Sequence, residues 1–201
     1  MLSQKHRKWL RSSERYRSRG GKSLWEVVAR KELLIASQLY HEFCTDRQGW
    51  TLDLGSGSGG IWQFTTPPQK LIALDYAPQI ASLKTYPYRL TADACLIPFK
   101  NGSISVILAL GLLEYIDDLD ATFREWRQAC RTGGRLLLTN SPPSLPNKLR
   151  CWFQLGAIPR PDELIIAALG RQGWKVISKS KKSAGWQSML VAEAVNLQEN
   201  T

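Results

Sequence analysis

Apolar positions along the chain fall into two kinds of block. One has helical spacing. Val28, Ile35, Leu39 and Phe43, with Trp25, Leu34 and Ala36 beside them, form a stripe. The stripe predicts a helix from about Leu24 to Cys44, opened by a capping box at Ser23-Leu-Trp-Glu26. The other kind is short and nearly continuous: Thr51–Leu54, Lys70–Asp75, Ile104–Leu110 and Arg135–Thr139, with a further short strand expected at Tyr88–Thr91. Such runs predict buried strands, and the unbroken Ile104–Leu110 suits a central parallel one. Between them Ile61–Phe64 opens a short helix that Pro67-Pro68 ends, and Pro78–Lys84 makes another. A longer helix begins at Asp117, Asp118 and Asp120. It buries Phe123, Trp126 and Cys130, carries Arg124, Arg127 and Arg131 towards its end, and stops at Gly133-Gly134.

The segment from Asn140 to Arg160 holds four prolines, with one helical piece over Lys148–Leu155. Pro161-Asp162-Glu163 then starts a helix that runs through Leu164, Ile165, Ala168 and Leu169 to Gly170 or Gly173. Trp174–Ser178 and Gln187–Ala194 are strand-like, and the Lys179–Gly185 link is too short for a helical crossover, so they form an antiparallel hairpin. The order predicts an α/β three-layer sandwich. Its seven-stranded Rossmann-like sheet is mostly parallel and ends antiparallel.

At 201 residues, 43% hydrophobic and 22% charged, the composition fits one soluble globular domain. Charge changes the picture in one place. The net charge is +10, and +8 of it lies in Met1–Lys31. Residues 1–22 are therefore expected to be a basic N-terminal arm, and 23–201 the domain. A solvated arm is one reading of the leader; an electropositive lid or docking arm for an anionic partner is the other. The basic start has no apolar block after it, and no run is long enough to span a membrane. These features predict a cytoplasmic protein. Cys44, Cys95, Cys130 and Cys151 lack metal-ligand or redox spacing, and only His6 and His41 could join them, so no metal site is expected.

Candidate chemistry centres on Asp53-Leu-Gly-Ser-Gly-Ser-Gly-Gly60. A strand leads into glycines that let the backbone turn sharply and approach a ligand. Gly55, Gly57 and Gly60 satisfy dinucleotide spacing; Gly55, Gly57 and Gly59 satisfy S-adenosylmethionine spacing. Asp53 favours the second, since a carboxylate repels a pyrophosphate and attracts an ammonium. Asp75, closing the second strand, can accept from both ribose hydroxyls, and Tyr76 can offer its ring to adenine. Asp93, past the third strand, can accept from the adenine amino group. These positions, with the Gly111 turn, fall at the carboxyl ends of strands, where such sheets bind ligands.

The ordered set Leu52–Gly59, Ala73-Leu-Asp75, Ala92-Asp-Ala94, Ile97-Pro-Phe99, Leu112–Ile116 and Arg131–Leu136 resembles the class I S-adenosylmethionine-dependent methyltransferases. Within them it is most similar to the small-molecule group that includes the ubiquinone and menaquinone enzymes. The resemblance covers about Trp50 to Thr139. It implies S-adenosylmethionine as cofactor, with Gly55, Ser56, Gly57 and Gly59 along its methionine part. It further implies that Asp75 is on the ribose, Asp93 and Ala94 are beside adenine, and Ala109, Leu110 and the residues to Leu112 line the methionine side. Ser105 stands where relatives usually have aspartate.

The implied reaction is an in-line displacement at a sulfonium methyl, which asks for alignment and exclusion of water. A base is needed only for an acceptor that must lose a proton, and Glu114, Tyr115, Asp117 and His41 are candidates. The first reading is transfer to a small-molecule acceptor. Alternatives are transfer to RNA or protein docked by the basic arm, a catalytically silent methyltransferase-like binding subunit, and a nicotinamide dehydrogenase. Nucleic acid is the less favoured partner, because Asn140-Ser-Pro-Pro differs from the amino-methylating signature and comes after the fifth strand. The dehydrogenase reading leaves too little chain for a substrate domain.

Overall fold

The computed structural model describes residues 24–45, 48–77, 85–144, 147, 158–180 and 187–196. The expected arm, the Pro78–Lys84 and Lys148–Leu155 helices, Ser23 of the capping box and Cys151 lie outside them. Helix α1 spans Leu24–Phe43. Strands β1 (Trp50–Leu54), β2 (Leu71–Asp75), β3 (Tyr88–Thr91) and β4 (Ile104–Ala109) come next. Then come α2 (Leu119–Ala129), β5 (Cys130–Asn140), α3 (Asp162–Arg171), β6 (Trp174–Ser180) and β7 (Ser188–Ala194).

The strands form one sheet in the order β3-β2-β1-β4-β5-β7-β6. The first five are parallel, and β7 runs antiparallel to both β5 and β6. The sheet is the one the apolar runs predict.

Alternation along each strand divides the core into two layers. Leu52, Leu54, Leu74, Ile107, Leu136, Leu138 and Leu190 pack with Phe123 and Trp126 of α2 and Ile165 and Leu169 of α3. Leu71, Ala73, Val106, Leu108, Leu137 and Val191 pack on the other face with Ala36, Leu39 and Tyr40 of α1. Asp53 and Asp75 have the parity of this second face, so each carboxylate starts from an apolar layer.

Two expectations need correction. The helix after the glycine loop is a four-residue 3-10 turn, Gly60–Gln63, which ends at Phe64 before the prolines are reached. Helix α2 stops at Ala129, ahead of Gly133-Gly134. Cys130 already has an extended backbone and pairs with Ile104, and the register then slips so that Val106 meets Arg135. The two glycines serve that irregularity. A Cβ on Gly134 would lie 2.4 Å from Cys130 Sγ and 2.9 Å from the Ser105 carbonyl. Ser105 itself donates to the Gln48 carbonyl at 2.7 Å, tying β4 to the turn that enters β1. That bond gives the residue in the unusual position a structural task.

Candidate functional site

The strand order reverses between β1 and β4, and ligands of open α/β sheets sit beyond the carboxyl ends of the strands at such a switch. Both loops that leave this point turn through glycine. Gly55, Gly57 and Gly59 have φ of 63°, 51° and 74°, and Gly111 after β4 has 68°. Side chains rarely adopt these angles. Gly60 lies outside this region and starts the 3-10 turn. The loop therefore takes the Gly-x-Gly-x-Gly shape. The 3-10 turn behind it is too short to offer a pyrophosphate the dipole of an α-helix.

A buried carboxylate holds each end of the loop. Asp75, 2% exposed, accepts from the Gly57 N–H at 2.8 Å and the Ala77 N–H at 2.9 Å, one on each oxygen. Every carboxylate oxygen has a second lone pair, so two acceptor positions are left for hydroxyl donors. Asp53 lies beneath the loop. Its Oδ2 accepts from Tyr86 Oη at 2.7 Å and Trp62 Nε1 at 3.0 Å. Burial pushes its carboxyl up to about 6; the bonds from Tyr86 and Trp62 work against that shift, and nearby Asp75 adds to it.

This shift has a consequence for stability. In the unfolded chain the Asp53 carboxyl titrates near its ordinary 3.8. Its raised folded value contributes stability that is complete below that pH and is lost as pH rises to about 6. Asp53→Asn is expected to stabilise the fold at about pH 8 by ~2 kcal/mol, a rise of roughly 4–8 °C in Tm. Thermal melts should show the gain shrink towards pH 4. A gain independent of pH would contradict this origin.

The remaining positions gather around the same opening. Ala92 N–H donates to the Asp75 carbonyl at 3.2 Å, which brings Asp93 and Ala94 beside Tyr76 at the ends of β2 and β3. Asp93 Oδ1 accepts from the Cys95 N–H at 2.8 Å, and Trp126 Nε1 donates to the Ala94 carbonyl at 2.7 Å. Ala109 and Leu110 end β4, and the Gly111 N–H is held by Thr139 Oγ1 of β5 at 2.7 Å. The two switch-point loops touch, for a Cβ on Gly55 would lie 3.1 Å from Leu112 Cδ1. Outward there is room. An added Cβ on Gly111 would meet nothing within 4 Å, and one on Gly57 only the Gly55 carbonyl at 3.8 Å. Ser56 Oγ is buried beside the Tyr86 hydroxyl. An open cradle of backbone N–H groups and carboxylates suits an adenosine with an amino-acid tail. It does not suit a diphosphate.

The candidate bases are distributed unevenly. His41 is in the last turn of α1, and its Nε2 is 2.7 Å from Thr65 Oγ1. Glu114 is 2% exposed in a 3-10 turn after β4. Its Oε1 accepts from Ser141 Oγ and, at 2.9 Å, from Gln187 Nε2. Tyr115 is half-buried beside it, and the exposed Asp117 precedes α2. Arg160 closes this side. It is 8% exposed and donates to the Leu113 carbonyl at 2.7 Å and to the Ile116 carbonyl. Farther along, Asn140 Nδ2 donates to Asp162 Oδ1 at 2.8 Å, Ser188 Oγ donates to the same oxygen, and Lys179 Nζ is 2.7 Å from Oδ2. Burial works to raise the Asp162 carboxyl, but these donors outweigh it and hold it below the ordinary value.

Trp62, Tyr86, Thr139 and Arg160 are absent from the sequence-derived site. Trp62 carries a usable signal, because a buried indole N–H next to a glycine loop needs an acceptor. Tyr86 sits in a Thr-Tyr-Pro-Tyr stretch with no periodicity to mark its inward side. Among the described residues no cluster suits a metal ion, and no helix is long and apolar enough to cross a membrane.

Comparison with known proteins agrees with this geometry. Residues 52–138 match the family model described as "Methyltransferase domain". A malonyl-[acyl-carrier protein] O-methyltransferase from Xylella fastidiosa (strain M23) is 32% identical over 119 residues, which are 54% of this chain and 40% of that protein. The chain thus spans well under half of that relative's length. A solved Thermotoga maritima structure, described as an "SAM-dependent methyltransferase, possible histamine N-methyltransferase", superposes with a TM-score of 0.71. It is 17% identical, over 93% of this chain and 99% of the other. Geranyl diphosphate C-methyltransferase from Streptomyces coelicolor A3(2), solved with Mg2+, geranyl diphosphate and S-adenosyl-L-homocysteine, superposes with a TM-score of 0.64 at 11% identity, over 80% and 79% of the two chains. At these identities the solved structures show the shared fold. Residues 52–138 thus match a methyltransferase domain, and the sheet that carries them has the fold of solved S-adenosylmethionine-dependent methyltransferases.

Proposed function

We propose that the protein is an S-adenosylmethionine-dependent methyltransferase acting on a small-molecule acceptor. The observation that carries the reading is the coupling of Asp75 to the glycine loop through Gly57 N–H, with open space above both Gly57 and Gly111. One carboxylate thereby shapes the loop and keeps lone pairs for the ribose hydroxyls. S-adenosylmethionine would supply an electrophilic methyl on a sulfonium. The chain's own residues then hold and orient. Gly55–Gly59 would carry the methionine part. An ammonium contact from Asp53 would fall to Oδ1, because Oδ2 already has two donors. Asp93 and Tyr76 would border the adenine, and Ala109–Leu112 would wall the methionine side.

Two of the relatives are named for anionic acceptors, malonyl-[acyl-carrier protein] and geranyl diphosphate, and a third for an amine, histamine. The basic leader Met1–Lys31, which holds +8 of the net +10, would suit an anion. A carboxylate acceptor needs no general base, which matches a Glu114 already engaged by Ser141 and Gln187. The test is transfer of a labelled methyl group from S-adenosylmethionine to a panel of small carboxylates and acyl thioesters, read by mass. A methylated product with matching S-adenosylhomocysteine release is expected. Methyl incorporation into RNA or protein alone would overturn the small-molecule assignment. Cofactor binding without any turnover would favour a silent binding subunit.

A further inference from the structure

Tyr86 is 1% exposed, and its hydroxyl meets three features at once. It donates to Asp53 Oδ2 at 2.7 Å, it receives Trp62 Nε1 at 3.1 Å, and it closes on the underside of Gly59. A Cβ on Gly59 would lie 3.0 Å from Tyr86 Oη and 3.1 Å from Cε2. Only a residue without a side chain lets the loop rest this low on the ring. Trp62 is fixed from the other side by the Tyr40 ring of α1, edge-on at 5.4 Å. The phenol and indole therefore form a shelf under the second half of the loop, with the Asp53 carboxylate joining them.

We propose that Tyr86 is a positioning residue whose hydroxyl, anchored on Asp53, sets the height of Gly59 and so the seat of the cofactor's amino-acid tail. The inference rests on the methyltransferase reading. It separates the two carboxylates by task, with Asp75 shaping the loop's first half from the ribose side and Asp53 working through Tyr86 and Trp62 on its second. An ionised Asp53 makes charge-assisted bonds to both donors, and these are shorter and stronger than neutral ones. The titratable groups that the carboxylate feels are Tyr86, from the chain before β3, and Asp75, from β2. Its strand-register partners, Ala73 and Leu108, are apolar. The pH at which Asp53 takes up a proton, about 6, should then appear in cofactor binding.

The experiment is calorimetry of wild type and Tyr86→Phe with S-adenosylhomocysteine and with adenosine, between about pH 5 and 7.5. Wild-type affinity for S-adenosylhomocysteine should fall as pH drops through about 6. Tyr86→Phe should weaken that ligand about tenfold, leave adenosine within about twofold, and move the pH midpoint upward because the carboxylate has lost a donor. Equal loss for both ligands, no loss for either, or an unmoved midpoint overturns the inference. Should Tyr86→Phe not fold, Asp53→Asn carries the test: weaker S-adenosylhomocysteine binding with a flat pH profile is expected, and a retained pH step overturns it. Failure of the wild-type chain to bind S-adenosylhomocysteine would bring down the methyltransferase reading and this inference together. The other outcomes bear on the inference alone.

Discussion

Asp75→Ala is expected to weaken S-adenosylhomocysteine binding by at least a factor of about 100, the largest functional effect of any single change at this site. Two ribose hydroxyls donating to a carboxylate are each worth ~1.5–3 kcal/mol, and each 1.4 kcal/mol or so is tenfold in affinity. The loss has a second source. Without the carboxylate the Gly57 N–H has no acceptor, and the loop is free to leave the conformation that the cradle requires. Asp75→Asn keeps the size and one acceptor, so it should fall between wild type and alanine. Calorimetry decides, with thermal melts run alongside to show that the variants are folded. An unchanged affinity in a folded Asp75→Ala protein would remove Asp75 from the site.

Arg160→Met is expected to give the largest loss of stability. The methionine matches the aliphatic stem and removes the guanidinium. The Ile116 carbonyl then loses its donor, and the Leu113 carbonyl keeps only the Ile116 N–H at 3.2 Å. Leaving one buried acceptor unsatisfied costs ~1–3 kcal/mol, and losing one of two bonds at the other adds ~1 kcal/mol, so ~2–4 kcal/mol is lost in all, a fall of roughly 4–15 °C in Tm. The turn that carries Glu114 and Tyr115 is what the guanidinium holds, together with the Ile158 N–H bond to the Glu114 carbonyl at 2.8 Å. A melting temperature within about 2 °C of wild type would show that water satisfies those carbonyls, and that Arg160 is no brace.

The sheet was legible because its central strands bury alternate or continuous apolar residues, and the Lys179–Gly185 link is too short to permit a parallel crossover; the edge strand β3 buries none of its residues. The switch-point crevice was legible for a related reason. Glycine at 55, 57, 59 and 111 is a backbone requirement, and carboxylates closing apolar strands have few other uses. What stayed hidden was set by tertiary contact. Ile61–Phe64 has a helical pattern but is cut to one 3-10 turn, because Trp62 must reach Asp53 while Gly60 packs against Leu33. A Cβ on Gly60 would lie 2.8 Å from Leu33 Cδ1. The end of α2 moved for a similar reason: Cys130 pairs with Ile104 across the sheet, and no local propensity records that.

Asp53 shows the limit most clearly. Its place in the motif pointed to an ammonium partner, while the folded chain gives one of its oxygens to Tyr86, 33 residues away. Arg160 is equally distant from the carbonyls it serves, at 47 and 44 residues. Neither pairing has a spacing that a reader of the sequence could use. Both matter to the site because they fix loops whose own residues are small or polar and bury little surface.

The most direct measurement of the central claim is a calorimetric titration of the wild-type chain with S-adenosylhomocysteine, set beside the same titration with NADH. A crevice built for adenosine and an amino-acid tail predicts saturable heat with about one site per chain for the first ligand and none for the second. Heat from NADH, or silence from S-adenosylhomocysteine with a folded protein in the cell, would contradict it.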